Sequence, residues 1–118
     1  MAGLVLRAKG GVRPPVIDLA TIPEAGVTLG RDSTADLKLV LGTKAVSISR
    51  KHAKLQLRAC GSVWLQDLGS LNGTWVNENP LIGSEAQKLV IDDTIRFGFA
   101  EATCEYVVEG LDANKMVP

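Results

Sequence analysis

The sequence predicts an all-β sandwich, on three observations. Short apolar runs recur about every eight to twelve residues, separated by clusters of Gly, Pro, Asn, Asp and Ser. Residues 52–58 alternate strictly: Ala53, Leu55 and Leu57 fall on one side, and His52, Lys54, Gln56 and Arg58 on the other. No window carries the sustained apolar spacing of an amphipathic helix.

Taken in order, Leu4-Val5-Leu6 forms the first strand, before the turn-rich Gly10-Gly11-Val12-Arg13-Pro14-Pro15. Val16-Ile17-Asp18-Leu19 follows, then Val27-Thr28-Leu29 running into Gly30-Arg31. Leu37 to Val40, His52 to Arg58 and Ser62 to Leu68 are the middle strands, although Trp64 and Asp67 blur the faces of the last. Asn72-Gly73 is the strongest short hairpin signal in the chain, with both residues suited to positive φ, and leads into Thr74 to Asn77. Ile95, Phe97 and Phe99 line one face of a late strand. Cys104 to Val108 is the final strand, placed to pair near the first. Residues 1–110 read as one domain, and 111–118 as a tail or the start of a linker. The starting methionine and short tail fit an N-terminal piece of something longer.

With 46% hydrophobic residues, 22% charged and no net charge, the chain can bury a core and does not resemble a disordered segment. No apolar stretch is long enough to span a bilayer, and the N-terminus is too quickly charged for a secretory signal, so a cytoplasmic or nuclear location is expected. Cys60 and Cys104 are too few for a disulfide framework or metal site and are read as reduced, buried thiols. The neutral balance conceals a basic zone. Residues 30–58 hold Arg31, Lys38, Lys44, Arg50, Lys51, Lys54 and Arg58 against Asp32 and Asp36, a local charge of +5 offset elsewhere by −5. That pattern favours a local anion site over binding to a long polyanion.

Three short segments carry the chemistry: Gly30-Arg31, Ser49-Arg50-Lys51-His52 and Asn72-Gly73-Thr74. Each lies at the end of an expected strand, and sandwich loops distant in sequence converge at one end. They would bring together a guanidinium, a hydroxyl and a carboxamide, a set able to hold a phosphate attached to an extended peptide.

In these segments the chain resembles the forkhead-associated (FHA) domain, and the likeness extends over residues 3–109 through Ala35-Asp36-Leu37, Val46-Ser47, Ala53, Asp67-Leu68, Val76-Asn77 and Asp93 to Gly98. The resemblance implies an eleven-stranded, antiparallel-type β-sandwich with binding loops at one end. It also implies a non-enzymatic module that binds threonine-phosphorylated proteins without a cofactor. By the same resemblance, Arg31, Ser49 and Arg50 bind the phosphate. Asn72 holds the peptide backbone, with Ser70 and Leu71 beside it in the peptide-binding loop. Gly30, His52, Gly73 and Thr74 hold the loops in shape. Leu71 departs from members with a polar residue there and removes one possible hydroxyl contact. A looser likeness, in residues 68–74 and 96–99, is to FHA domains that open centrosome-associated and cytoskeletal proteins.

Other readings compete at each position. Arg31 alone could be an ordinary surface arginine, and Ser49 a turn residue. His52, the only histidine, has no nucleophile or metal-ligand partner at a recognisable spacing and is read as a bridge between loops. Asn72-Gly73-Thr74 also matches a glycosylation sequon, discounted without a secretory signal. Trp64 and Trp75 are expected in the core. The zone's lysines could steer an acidic peptide or be merely solvated. Nucleic acid is disfavoured, because the basic zone lacks interleaved aromatics. A membrane is excluded, and a monomeric domain is expected. The alternative function is an FHA-like docking or dimerisation module that needs no phosphate.

Overall fold

The computed structural model describes residues 3–9, 11–32, 34–40, 48–58, 61–98 and 104–111. Lys44, Val46, Ser47, Cys60 and Phe99, each given a place in the sequence reading, lie outside them. The described residues form eleven strands: β1 (Gly3–Ala8), β2 (Val16–Asp18), β3 (Val27–Gly30), β4 (Leu37–Lys38), β5 (Ala53–Leu57), β6 (Val63–Asp67), β7 (Thr74–Val76), β8 (Asn79–Pro80), β9 (Ala86–Lys88), β10 (Thr94–Phe97) and β11 (Glu105–Leu111). One sheet has the order β2-β1-β11-β10-β7-β8, and the other β4-β3-β5-β6-β9.

Alternation builds the interior. Ala53 and Leu55 of β5, Val63 and Leu65 of β6, Ile95 and Phe97 of β10, and Tyr106 and Val108 of β11 are all buried in one cluster. Tyr106 is the largest fully buried side chain, and its hydroxyl donates to the Pro14 carbonyl at 2.7 Å, so its polar end is satisfied. The last strand does pair with the first, antiparallel from Gly3↔Leu111 to Ala8↔Tyr106.

The structure corrects several expectations. Leu19 opens a 3-10 turn, capped by the Asp18 side chain accepting from the Ala20 amide, and does not extend β2. The β3–β4 pair is parallel, so the sandwich is not wholly antiparallel. The Asn72-Gly73 hairpin is absent: β6 pairs with β5 and β9, while β7 lies in the opposite sheet with β10 and β8. Gly73 has φ +90°, but Asn72 is not in the left-handed region. The two-residue hairpin lies instead between β7 and β8, where Asn77 (φ 52°) and Glu78 (φ 67°) form the paired positive-φ turn. Trp64 and Trp75 are only half-buried. Each lies under a guanidinium, Arg58 at 4.2 Å and Arg96 at 4.7 Å from the ring centroid, which makes them platforms on outer faces. Cys104 is fully buried, and burial pushes its thiol pKa up to about 12.

Candidate functional site

Three loops meet where β3 ends, β5 begins and β6 crosses to β7. The first follows Gly30 and is closed by Asp36, whose carboxylate accepts from the Thr28 amide at 2.9 Å while its own amide donates to the Thr28 hydroxyl at 3.0 Å. Arg31 stands exposed at its start. The Arg31 amide donates to the Ser49 carbonyl at 3.1 Å, and the Asp32 amide to the Arg50 carbonyl at 3.3 Å. This approach requires glycine at position 30. A Cβ there would lie 1.9 Å from the Arg50 carbonyl oxygen, so a side chain would force the two loops apart.

The second loop joins the third through Ser49 and His52. The Leu71 amide donates to Ser49 Oγ at 3.0 Å. With that oxygen acting as acceptor, the hydroxyl proton is the group Ser49 can offer to a phosphate. The Ser49 amide donates to His52 Nδ1 at 3.0 Å, and His52 Nε2 lies 2.7 Å from the Gly73 carbonyl. The pattern assigns a neutral ring protonated at Nε2. The backbone of His52 is held on both sides, its amide donating to Leu29 and its carbonyl accepting from Leu68. Contrary to the alternation argument, His52 is fully buried, with Phe97 edge-on at 5.6 Å. Strict alternation begins only at Ala53, so the ring before it turns under the loops.

The third loop is organised by Asp67, which the sequence reading did not assign to the site. Its carboxylate accepts from the amides of Gly69 and Ser70 at 3.0 and 2.9 Å, and from the hydroxyls of Ser70 and Thr74 at 2.5 and 2.6 Å. Ser70 Oγ in turn accepts from the Gly73 amide. Ser70 and buried Thr74 therefore shape the loop from within, while Asn72 is half-buried and Leu71 is 86% exposed. An acid followed two and three residues later by Gly and Ser is the local signal that could have revealed this role.

Burial lowers the His52 pKa from its ordinary 6.5, against the opposing effects of the Gly73 carbonyl and the Asp67 charge. For Asp67, burial raises the pKa, but the Ser70 and Thr74 hydrogen bonds and the nearby His52 outweigh it, leaving a net lowering from 3.8. The unfolded chain should therefore bind a proton at His52 before the folded one does. The contribution of neutral, buried His52 to stability should be fully present above pH 6.5 and lost as pH falls from there toward the lower folded value. A separate loss should begin near pH 3.8, as Asp67 protonates more readily in the unfolded chain. Denaturant unfolding at a series of pH values should resolve the first step. His52→Gln should abolish that step, since the chain has no second histidine.

Residues 27–98 match the model of the FHA domain, which is more than half of the chain. The chain belongs to the FHA domain family. It is 37% identical over 71 residues to an oxoglutarate dehydrogenase inhibitor of Corynebacterium glutamicum, covering 60% of this chain and 44% of that protein's length. The FhaA FHA domain, solved in complex with the intracellular domain of Rv3910, is 26% identical with a TM-score of 0.66, covering 92% of this chain and all of that one. The N-terminal FHA domain of Rad53p from S. cerevisiae, solved with a phosphothreonine peptide, shares the fold at 22% identity and a TM-score of 0.67, covering 97% and 95% of the two chains. FHA domains are interaction modules. Among the described residues, no helix is long and apolar enough to cross a membrane.

Proposed function

We propose that this FHA domain is a non-enzymatic module that binds an extended peptide carrying phosphothreonine. Arg31 pairs with the phosphate, because a planar guanidinium offers two parallel charge-assisted bonds. Ser49 donates its hydroxyl to the same phosphate, and Arg50 adds a backbone amide or its side chain. Asn72 hydrogen-bonds the peptide backbone, flanked by Ser70 and Leu71. Gly30, His52, Gly73 and Thr74 hold the loops, and residues 1–110 act as the domain that carries them. A cytoplasmic or nuclear setting is part of this proposal.

The observation that supports this best is the chain of bonds through Ser49: its carbonyl accepts from the Arg31 amide and its Oγ from the Leu71 amide, so one residue links all three loops. Related FHA domains solved with a protein domain or a phosphothreonine peptide support the partner class. An oriented library of phosphothreonine peptides, screened beside its unphosphorylated counterpart, tests the proposal. Only the phosphorylated library should bind, and affinity should fall gently with salt, because the surface lysines are screened over about 8 Å. A steep salt slope with duplex or single-stranded DNA, and no retention of phosphopeptide, would favour a nucleic-acid ligand.

A further inference from the structure

Asn72-Gly73 forms no hairpin, but the dipeptide has a second chemistry. Of the four asparagines, Asn72 alone is followed by glycine. Asparagine is thermolabile because the backbone nitrogen of the next residue can attack its side-chain carbonyl carbon. Glycine, with no Cβ, leaves that nitrogen unshielded and the backbone free to turn. Two other asparagines are blocked. Asn79 precedes Pro80, whose ring nitrogen has no hydrogen to lose. Asn77 has both ends of its carboxamide occupied, Nδ2 donating to Asp93 at 2.8 Å and Oδ1 accepting from the Thr94 amide at 2.9 Å. Asn114 lies outside the described residues.

At Asn72 the fold holds the attacking nitrogen itself. The Gly73 amide donates to Ser70 Oγ at 3.0 Å, and that hydroxyl donates to Asp67 Oδ1 at 2.5 Å. The proton that must leave is therefore bonded, and its nitrogen is aimed at Ser70. The peptide unit cannot swing round, because the Gly73 carbonyl is held by His52 Nε2 at 2.7 Å and by the Gly98 amide at 2.9 Å. On the other side, the Leu71 amide is tied to Ser49 Oγ. We propose that Asn72-Gly73 is a clamped deamidation site, kept closed by the Ser70 hydroxyl and released by local opening of the third loop. Once open, the Gly73 nitrogen gives its proton to a solvent base and bonds to Asn72 Cγ. The Cγ–Nδ2 bond breaks, and ammonia leaves with a proton taken from water. One water then opens the succinimide ring to aspartate or isoaspartate. On the phosphothreonine reading above, this conversion switches recognition off irreversibly. A carboxylate cannot donate as the carboxamide does, and it sets a negative charge near the bound phosphate. Isoaspartate also lengthens the main chain between the Ser49 and His52 anchors.

The test follows aspartate and isoaspartate at position 72 by peptide mapping, in mildly alkaline buffer well below the melting temperature. The full chain is compared folded, unfolded in denaturant, and as Ser70→Ala, Ser70→Thr and Ile17→Val. Ile17 is buried on β2, away from the loops, so Ile17→Val lowers stability without touching the clamp. The folded chain should convert more than about tenfold more slowly than the unfolded one. Ser70→Ala should convert about three- to tenfold faster than the folded original, the worth of one hydrogen bond, while Ser70→Thr keeps the hydroxyl and the slow rate. Equal rates for folded and unfolded chain, or a Ser70→Ala rate no faster than that of Ile17→Val, overturns the clamp. None of these arms needs a ligand. Calorimetry with a phosphothreonine peptide then compares the original chain with Asn72→Asp, which should bind about tenfold more weakly or worse. Equal binding by the two overturns the switch and leaves the phosphate reading standing. An original chain that does not bind the peptide overturns the phosphate reading itself.

Discussion

Replacing Arg31 with alanine is expected to abolish phosphopeptide binding while leaving the fold intact. The side chain is exposed, and the loop's own link to Ser49 runs through the Arg31 backbone amide, which alanine keeps. A hydrogen bond to a charged group contributes about 1.5–3 kcal/mol, and a bidentate guanidinium–phosphate pair makes two. The expected loss is therefore on the order of a hundredfold or more in affinity. Calorimetry with a phosphothreonine peptide checks it, alongside a thermal melt. A variant that binds within twofold of the unaltered chain would mean that the phosphate lies elsewhere.

The largest effect on stability is expected from His52→Ala. The ring is fully buried, packs edge-on against Phe97, and bridges the Ser49 amide to the Gly73 carbonyl. Its removal leaves the Ser49 amide without that acceptor, at about 1–3 kcal/mol, and opens a cavity beneath the loops that adds to the cost. The Gly73 carbonyl still accepts from the Gly98 amide, so that side of the bridge is cushioned. The melting temperature should fall by about 10 °C or more. Binding should fall with it, because Ser49 and Gly73 lose their common anchor. A variant that melts normally yet fails to bind would mean that His52 touches the ligand itself.

The fold was legible where side chains alternate over a buried face, as in β5 from Ala53 to Leu57, and where Gly and Asp punctuate the runs. The runs missed were β8 and β9, of two and three residues, one containing Pro80 and both half-buried or exposed. Such edge strands carry no period to read. The Asn72-Gly73 error has a different origin. Its dipeptide signature reports a local backbone preference, which cannot tell whether the flanking strands share a sheet. At the site, the Gly-Arg, Ser-x-x-His and Asn-Gly-Thr segments marked the loops that come together, while the roles given to their residues came from family resemblance. Asp67 escaped because its work is done through hydrogen bonds to neighbouring loop residues, and tertiary pairing sets the shape those bonds hold. The tryptophans escaped because a sheet has two faces, and only the paired structure tells which one is covered.

The most direct test of phosphothreonine recognition is one calorimetric series with four matched peptides bearing phosphothreonine, phosphoserine, threonine or glutamate. Phosphothreonine should bind tightest. Phosphoserine lacks one methyl, and burying that group between the loops around Ser49 and Asn72 contributes about 0.8 kcal/mol. Glutamate should fail, since it offers one charge on a planar carboxylate where phosphate offers nearly two charges on three oxygens. Threonine should not bind measurably. Equal affinity for the two phosphorylated peptides would remove the methyl pocket, and equal affinity for all four would contradict phosphate recognition and leave a phosphate-independent docking module.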